Sequence, residues 1–234
     1  MIYLGESCIT LAANIHNHPL KEDRILFVDL DGCITSSSIN NTFDFLKSYL
    51  YSCGTFGVIR HGLARLASGL LNLLVRNEVI SRRVFLILCT FGLRKSKLFE
   101  YATKYWLKLI KNYMNGITLD LIRKLRGQGY SPVLLTSCIE IPACQIARSL
   151  RFESCIATRF RYLGDLIIGI REDTYAHLKF QVIRNRYGNN VLKHSAYIVD
   201  LESAKIEYPH KLFSKIYLIS TKENERLRIY HYQA

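Results

Sequence analysis

The sequence contains no pair of cysteines in the CxxC spacing that many metal and redox sites use. Its seven cysteines are an odd number and are scattered along the chain: Cys8, Cys33, Cys53, Cys89, Cys138, Cys144 and Cys155. This distribution excludes a regular disulfide framework and argues against a zinc site. It favours a reducing compartment, and we predict a cytoplasmic location.

Long hydrophobic segments are also lacking. The longest nearly continuous apolar run, Val84–Leu93, is well short of the roughly twenty residues that a membrane-spanning helix needs. The first twenty residues have no basic start and only a short, interrupted apolar stretch, so they do not predict a secretory signal. They indicate an N-terminal extension on a soluble protein.

Acidic residues are scarce relative to basic ones. Lys and Arg total 32 against 19 Asp and Glu, which gives a formal net charge of +13. Such a charge favours anionic partners: phosphorylated metabolites, nucleic acid or acidic lipid. The sequence has no RNP-like strand pair, zinc finger or helix-turn-helix signature, so we expect no nucleic acid partner.

Proline is absent from a long central segment, residues 42–113. Apolar residues recur there every three or four positions, for example Leu63, Leu66, Leu70 and Leu73, which is typical of helices. No strand-like alternation interrupts this pattern. The segment predicts a small all-helical unit inserted after the first strand.

The flanking segments alternate between strand and helix. Strands are predicted over the run 24–32, which ends in two carboxylates and a glycine, and near residues 131–137, 154–158, 195–200 and 215–220, with a hairpin over 161–170 and helices over 117–126, 141–150 and 176–187. This order predicts an α/β fold, a three-layer Rossmann-like parallel sheet core with an inserted all-helical cap. The predicted units are the extension (1–20), the core (21–44 and 116–234) and the helical cap (45–115).

Polar side chains follow three of the predicted strands at their carboxyl ends: Asp29, Asp31, Thr136, Ser137 and Asp200. Ligands of open parallel sheets bind at this edge, so we expect these five groups to converge. Carboxylate oxygens there suit Mg²⁺, and an Asp carboxylate can attack phosphorus while a second carboxyl group transfers the proton. The alternative for Asp-Leu-Asp-Gly alone is a turn after a strand.

These motifs resemble the haloacid dehalogenase-like hydrolase superfamily. Residues 29–35, DLDGCIT after an apolar strand, resemble its first motif, and VLLTS, with Thr136, resembles its second. Lys179 in TYAHLKFQVI resembles the lysine of the third motif, and AYIVD, ending in Asp200, resembles the fourth. The early helical insertion and the hairpin before Lys179 resemble the phosphoserine phosphatase-like branch. The resemblance covers about residues 25–220.

The resemblance implies a phosphate monoester hydrolase with an aspartyl-phosphate intermediate. Asp29 would be the nucleophile and Asp31 the general acid/base. Mg²⁺ would be held by the Asp29 carboxylate, the Asp31 backbone carbonyl and Asp200. Thr136, with Ser137 beside it, and Lys179 would bind the non-transferred phosphoryl oxygens.

Two positions depart from the family pattern. Cys33 stands where threonine is usual, and Ala204 and Lys205 stand where the fourth motif has a second Asp. Glu202 is near in sequence and could compensate in part. The departure leaves an alternative function open, a catalytically weakened binding or regulatory protein on the same fold.

The predicted cap carries most of the excess charge. Between Arg60 and Lys111 there are eleven basic and two acidic residues, a net charge of +9. Such a cap suits a phosphorylated small molecule with further negative charge, or a lipid-linked phosphate presented on an anionic membrane that the cap contacts peripherally. We predict instead that the leucines pack the cap's own core and the charges are solvated.

Overall fold

A computed structural model of the chain describes residues 24–207, 209, 212–213 and 215–219. These residues contain one six-stranded sheet, formed by β1 (Ile25–Val28), β2 (Ser131–Ile139), β3 (Ser154–Leu163), β4 (Leu166–Glu172), β5 (Ala196–Asp200) and β6 (Lys215–Ile219). The strand order is β4-β3-β2-β1-β5-β6. All neighbours pair in parallel except β3 and β4, which form the predicted hairpin.

Strand β1 lies in the middle of the sheet and is buried on both faces. Its side chains alternate, so that Leu26 and Val28 join one hydrophobic core while Ile25 and Phe27 join the other. This is why the strand is a continuous apolar run rather than an alternating one. Helices cover each face, and the predicted three-layer α/β class is confirmed.

The first four α-helices after β1 are α1 (Asn41–Ser52), α2 (Thr55–Val75), α3 (Glu78–Thr90) and α4 (Lys95–Asn112). We call them the helical insertion. The later helices are α5 (Gly116–Gly127), α6 (Glu140–Ser149), α7 (Leu178–Lys193) and α8 (Leu201–Glu207). The domain boundaries at 44/45 and 115/116 remain a prediction, and the extension over residues 1–20 lies outside the described residues.

The chain enters and leaves the helical insertion through a two-stranded neck. Thr35 and Met114 form an antiparallel bridge there. The Ser36 amide donates to the Tyr113 carbonyl at 2.9 Å, and the Asn115 amide donates to the Ile34 carbonyl at 2.9 Å. The insertion is therefore attached to the sheet by two adjacent chain segments.

Helix α2 has its polar and small residues inside and its leucines outside. Gly57, His61 and Ala64 are buried, whereas its large apolar side chains on the opposite face are 54–82 % exposed: Phe56, Ile59, Leu63, Leu66, Leu70, Leu73 and Leu74. We call these seven residues the leucine stripe. The prediction that the leucines pack the insertion's own core is wrong for this helix.

The same helix changes the prediction that no apolar segment of the chain is long enough to span a membrane. By length and composition, the 21-residue helix Thr55–Val75 is sufficient to cross a membrane, and an 18-residue stretch of it has a mean hydropathy of 1.2. Only 11 % of that apolar stretch is buried. Polar and small residues are spaced through this helix, so its apolar residues are not continuous in the sequence. The longest nearly continuous apolar run is therefore Val84–Leu93, which lies mostly in another helix, α3.

Candidate active site

The carboxyl ends of three neighbouring strands bring the predicted groups to one edge of the sheet. Strand β1 pairs with β2 on one side and β5 on the other. Asp29 follows β1 directly, Asp200 ends β5, and Thr136 and Ser137 lie in the last part of β2. After Asp29 the chain makes a turn closed by a 3.0 Å hydrogen bond from the Thr35 amide to the Leu30 carbonyl.

Asp29 is buried, with 4 % of its surface exposed. One carboxylate oxygen, Oδ1, accepts a 2.7 Å hydrogen bond from the amide of Leu30. The other, Oδ2, accepts from Lys179 Nζ at 2.8 Å. Both contacts orient the carboxylate, and the second joins residues that are 150 positions apart in the sequence.

Lys179 is completely buried although it lies on a helix. Its ammonium group contacts Asp29, the carboxylate of Glu207 at 2.6 Å and the hydroxyl of Tyr197 at 2.9 Å. Burial lowers the pKa of Lys179, but the attraction of Asp29 and Glu207 outweighs it and raises the pKa above its usual range. Lys179 is therefore a fixed cation at the sheet edge.

Glu207 is the main residue of this cluster that the sequence did not identify. It ends α8, and its Oε2 accepts a 3.0 Å hydrogen bond from Tyr197 Oη. Burial raises the pKa of Glu207, and Lys179 opposes that shift. Glu202, which we considered as a substitute carboxylate, pairs instead with Lys205 at 2.9 Å on the surface.

Asp31 is oriented by Asn41, which lies in the first turn of α1. Asp31 Oδ1 accepts from the Asn41 amide at 2.8 Å and from Asn41 Nδ2 at 2.6 Å. Asn41 also donates to Thr35 Oγ1 and accepts from Tyr105, so its own orientation is determined. Burial raises the pKa of Asp31 to about 6, with the negative charge of Asp29 adding to the shift and the Asn41 bonds opposing it.

This raised pKa makes Asp31 costly to the stability of the metal-free protein at neutral pH. The pKa of its carboxyl group is 3.8 in the unfolded chain and about 6 in the folded protein. The contribution of this group to the free energy of unfolding is therefore fully present below about pH 4 and is lost as pH rises to about 6. We expect Asp31→Asn to be more stable than the wild type above pH 6, by about 1–3 kcal/mol. Thermal unfolding in chelator across this pH range measures the difference.

The control for that comparison is the exposed Asp120, which pairs with Arg123 in the next turn of α5. Asp120→Asn should follow the wild type at every pH, because an exposed pair contributes little to stability. A difference between wild type and Asp31→Asn that stays constant from pH 4 to pH 7 would contradict the raised pKa.

Thr136 and Ser137 are differently placed, although both follow the apolar part of β2. Thr136 is fully buried, and its Oγ1 accepts from the Cys138 amide at 3.0 Å, which leaves the hydroxyl hydrogen to donate elsewhere. The Ser137 hydroxyl donates to the Thr174 carbonyl at 3.0 Å and lines a cavity. Their assignment to phosphate binding remains a prediction.

The cavity, of about 390 Å³, lies between the sheet edge and the helical insertion. Asp31 and Ser137 line it from the core, and α2 contributes Ser68, Gly69 and Asn72. The other lining residues, mostly polar, are Asn40, Thr42, Phe43, Glu78, Ser81, Arg82, Phe85 and Tyr175. The composition suits a polar ligand that reaches Asp31.

Arg82 connects the helical insertion to this edge. It is 7 % exposed, donates to the carbonyl of Ser137, pairs with Asp173 at 3.1 Å and lies over the ring of Tyr175 at 4.8 Å. Burial lowers its pKa, and Asp173 opposes the shift. No local pattern distinguishes Arg82 from the other basic residues of the insertion, because its partner Asp173 is 91 residues away.

Two carboxylates at this edge fit a divalent cation. A Cβ at Gly32, whose φ is +75°, would lie 3.0 Å from Cβ and Cγ of Asp200, so the Asp31–Gly32 peptide passes directly beside that carboxylate. Burial raises the pKa of Asp200, and the charge of Asp29 adds to it. A cation between Asp29, Asp200 and the Asp31 carbonyl would relieve that repulsion. Among the described residues, His, Cys, Asp and Glu side chains form no metal-binding group of three or more.

Comparison with protein families gives one match relevant to this edge. A family model described as haloacid dehalogenase-like hydrolase matches residues 26–198. The match spans the strand before Asp29, the whole helical insertion and most of β5. Comparison with curated proteins found no match.

Solved structures share the fold at low sequence identity. A protein of unknown function from Bordetella pertussis Tohama I aligns with a TM-score of 0.63 and 15 % identity, covering 85 % of this chain and 91 % of its own. A substrate-bound phosphoserine phosphatase aligns at 0.52 and 16 %, covering 85 % and 86 %. Cytosolic 5'-nucleotidase IIIB bound to cytidine aligns at 0.56 and 11 %, covering 85 % and 73 %.

Proposed function

Since the chain belongs to the haloacid dehalogenase-like hydrolase family, we propose that it is a phosphatase that hydrolyses phosphate monoesters through an aspartyl-phosphate intermediate. The observation that carries the proposal is the contrast between two carboxyl groups two residues apart. Asp29 is ion-paired with a buried lysine, whereas Asp31 has a pKa of about 6 and is held by Asn41. One carboxylate is held beside a buried cation, and the other exchanges a proton near neutral pH.

The first step transfers the phosphoryl group to Asp29. A carboxylate oxygen of Asp29 forms a bond to phosphorus while the bond from phosphorus to the leaving oxygen breaks. The Asp31 carboxyl group gives its proton to the leaving oxygen, so the alcohol departs neutral. The ammonium group of Lys179, and the hydroxyls of Thr136 and Ser137, bind the phosphoryl oxygens as negative charge shifts onto them.

The second step uses the same two carboxyl groups with Asp31 in the opposite role. Asp31, now ionised, takes a proton from a water molecule that attacks phosphorus. The bond between phosphorus and the Asp29 oxygen breaks, which releases inorganic phosphate and restores the Asp29 carboxylate. Asp31 ends the cycle protonated and ready for the next ester.

We propose Mg²⁺ as the cofactor, held by the carboxylates of Asp29 and Asp200 and the backbone carbonyl of Asp31. A bound divalent cation neutralises part of the phosphoryl charge and so reduces the repulsion that opposes attack by a carboxylate. The Asp31 carboxylate is left for proton transfer, because both of its hydrogen bonds to Asn41 direct it toward α1.

The proposed substrate is a phosphorylated small molecule, free or linked to lipid, that extends into the polar cavity beyond Asp31. Some similar folds belong to proteins named for phosphoserine and for nucleotides, which are phosphorylated small molecules.

A cytoplasmic location is also a proposal, and the six described cysteines are free thiols as that location requires. Contact with an anionic membrane remains a proposal too, and the leucine stripe is the surface that would make this contact.

The alternative, a catalytically weakened binding or regulatory protein, rests on Ala204 and Lys205. Glu207, farther along α8, supports the enzyme instead, since it places a carboxylate against Lys179. Cys33 also differs from the family pattern, but it is a buried thiol whose pKa burial raises, so it adds no charge beside Asp29.

We expect the wild-type protein to hydrolyse an aryl phosphate with Mg²⁺ and to lose this activity in chelator. In Asp200→Asn, the Mg²⁺ concentration for half-maximal rate should rise at least about tenfold, because a charged ligand is lost. The fold should be kept, since an Asn side-chain oxygen can still accept from the amides of Glu202 and Ser203 as Asp200 Oδ1 does. Rate against Mg²⁺ concentration is the measurement.

Glu202→Gln is the matched control, because that carboxylate lies two residues away and faces Lys205. Its Mg²⁺ dependence should equal that of the wild type. If the wild type is inert toward aryl phosphate and calorimetry detects no Mg²⁺ binding, the noncatalytic alternative replaces the phosphatase.

A further inference from the structure

The leucine stripe is an apolar surface that no packing among the described residues covers. Six of its seven side chains recur every three or four residues from Phe56 to Leu73, and Leu74 follows directly. At about 100° per residue they fall within roughly 100° of the helix circumference. A 21-residue helix is about 30 Å long, so the exposed stripe extends along the whole of α2. Surfaces of this kind mark interaction sites.

The charges around the stripe complement an anionic surface. No acidic residue occurs between Asp44 and Glu78, whereas Lys47, Arg60, Arg65 and Arg76 lie in that interval. Lys47, Arg65 and Arg76 are exposed. A helix that combines a long apolar face with flanking basic residues and no acids is suited to the headgroup region of an anionic bilayer.

The inner side of α2 is tied to its neighbours, which determines how the helix can meet a membrane. Gly57 is packed so closely on α1 that a Cβ there would lie 1.8 Å from the Leu50 carbonyl oxygen. Arg60 Nε donates to the Leu88 carbonyl of α3 at 2.7 Å, and the His61 ring contacts the rings of Tyr51 and Phe85. Crossing the bilayer would break these contacts, whereas lying along its surface keeps them.

We propose that the leucine stripe seats this protein on anionic lipid bilayers, with α2 parallel to the membrane and partly immersed. The cavity residues Ser68, Gly69 and Asn72 lie on the other side of the same helix. The entrance to the candidate active site is then about one helix diameter, roughly 10 Å, from the lipid surface. The docking itself does not depend on the proposed phosphatase activity.

Co-sedimentation with vesicles tests the proposal. The wild-type protein should bind vesicles of phosphatidylglycerol and phosphatidylcholine more tightly than vesicles of phosphatidylcholine alone. The triple variant Leu63→Ser, Leu66→Ser, Leu70→Ser should bind the anionic vesicles at least about a hundredfold more weakly, because three apolar side chains no longer enter lipid. Arg65→Gln should weaken binding by about fivefold and reduce its dependence on salt.

The matched control replaces three apolar residues of similar exposure elsewhere: Leu107, Ile117 and Leu163, at 63 %, 56 % and 68 %, against 63 %, 62 % and 54 % for the stripe residues. Leu107→Ser, Ile117→Ser, Leu163→Ser should bind vesicles as the wild type does. Asp29→Asn should also bind normally, so an inert protein that still binds vesicles separates docking from catalysis.

Three results would overturn the proposal. The wild type could fail to bind anionic vesicles, or the stripe and control variants could bind equally well. Light scattering could also find that the wild type and the control variant are dimers and the stripe variant a monomer, while none of them binds vesicles. That last result would assign the stripe to a second copy of the chain.

Discussion

Asp29→Asn should lower the rate of aryl phosphate hydrolysis by about 10⁴-fold or more, because the variant has no carboxylate to form a bond to phosphorus. The effect should be on turnover rather than on folding. The Asn side chain can still accept a hydrogen bond from the Leu30 amide, and Lys179 keeps its 2.6 Å contact with Glu207. Steady-state rates with saturating Mg²⁺, together with thermal unfolding, measure both properties.

The control for this substitution is Asp120→Asn, the same chemical change on the exposed face of α5. It should retain wild-type activity. If a contaminating phosphatase caused the measured activity, the Asp29→Asn and Asp120→Asn preparations would instead have equal rates. Asp29→Asn with more than a tenth of the wild-type rate would rule out Asp29 as the nucleophile.

The second large effect concerns stability. Lys179→Met removes the only cation that contacts both Asp29 and Glu207 in the part of the chain that the structure describes. Leaving two buried carboxylates without their partner should cost about 3–5 kcal/mol of unfolding free energy. For a chain of this size the midpoint of thermal unfolding should fall by about 10 °C. Lys193→Met, at an exposed lysine on the same helix, should leave it unchanged.

A double-mutant cycle identifies the cause of that loss. Glu207→Gln in the Lys179→Met background removes one of the two unpaired carboxylates and should restore about 1 kcal/mol or more. In the wild-type background the same change breaks an ion pair and should destabilise. Equal effects of Glu207→Gln in both backgrounds would show that Lys179 and Glu207 do not interact in solution.

The sheet could be predicted because its strands are short apolar runs separated by helical segments. Residues 25–28 and 196–199 are continuous apolar runs because both of their faces are covered, and Gly164-Asp165 indicated the turn between β3 and β4. Asp29 and Asp200 follow from the same pattern, since parallel strands bring their carboxyl ends to one edge.

Glu207 could not be predicted in the same way. It lies seven residues beyond Asp200, at the end of a short helix, and its partners are Lys179 on α7 and Tyr197 inside β5. No local spacing predicts that a glutamate at the end of the helix after β5 contacts a side chain from within that strand. Asn41 was missed for a related reason: its position suggests a helix start, and only the tertiary fold brings it to Asp31.

The leucine stripe marks another limit of sequence patterns. Helical periodicity places Leu63, Leu66 and Leu70 on one face of α2, but it does not determine whether that face is turned toward the protein. We assumed that the apolar face is the inner one, as in most helices. Here Gly57 and Ala64 allow α2 to approach its neighbours closely through its small-residue face, so the leucines are left outside.

The two-stranded neck is the point at which the insertion could be exchanged for another segment. Because Ser36 bonds to Tyr113 and Asn115 bonds to Ile34, the chain leaves the sheet for the insertion and returns from it at two neighbouring points. The entropy of closing a loop grows slowly with its length, so the neck itself can close around segments of very different size. An exchanged segment would have to replace the backbone hydrogen bonds that Gly92 and Leu93 make with Ile167 of β4. Catalysis is less tolerant, since Asp31 takes its orientation from Asn41, just beyond the neck. Grafting at the neck would therefore exchange the cavity lining that α2 contributes and the leucine stripe together, provided that the first turn of α1 is kept.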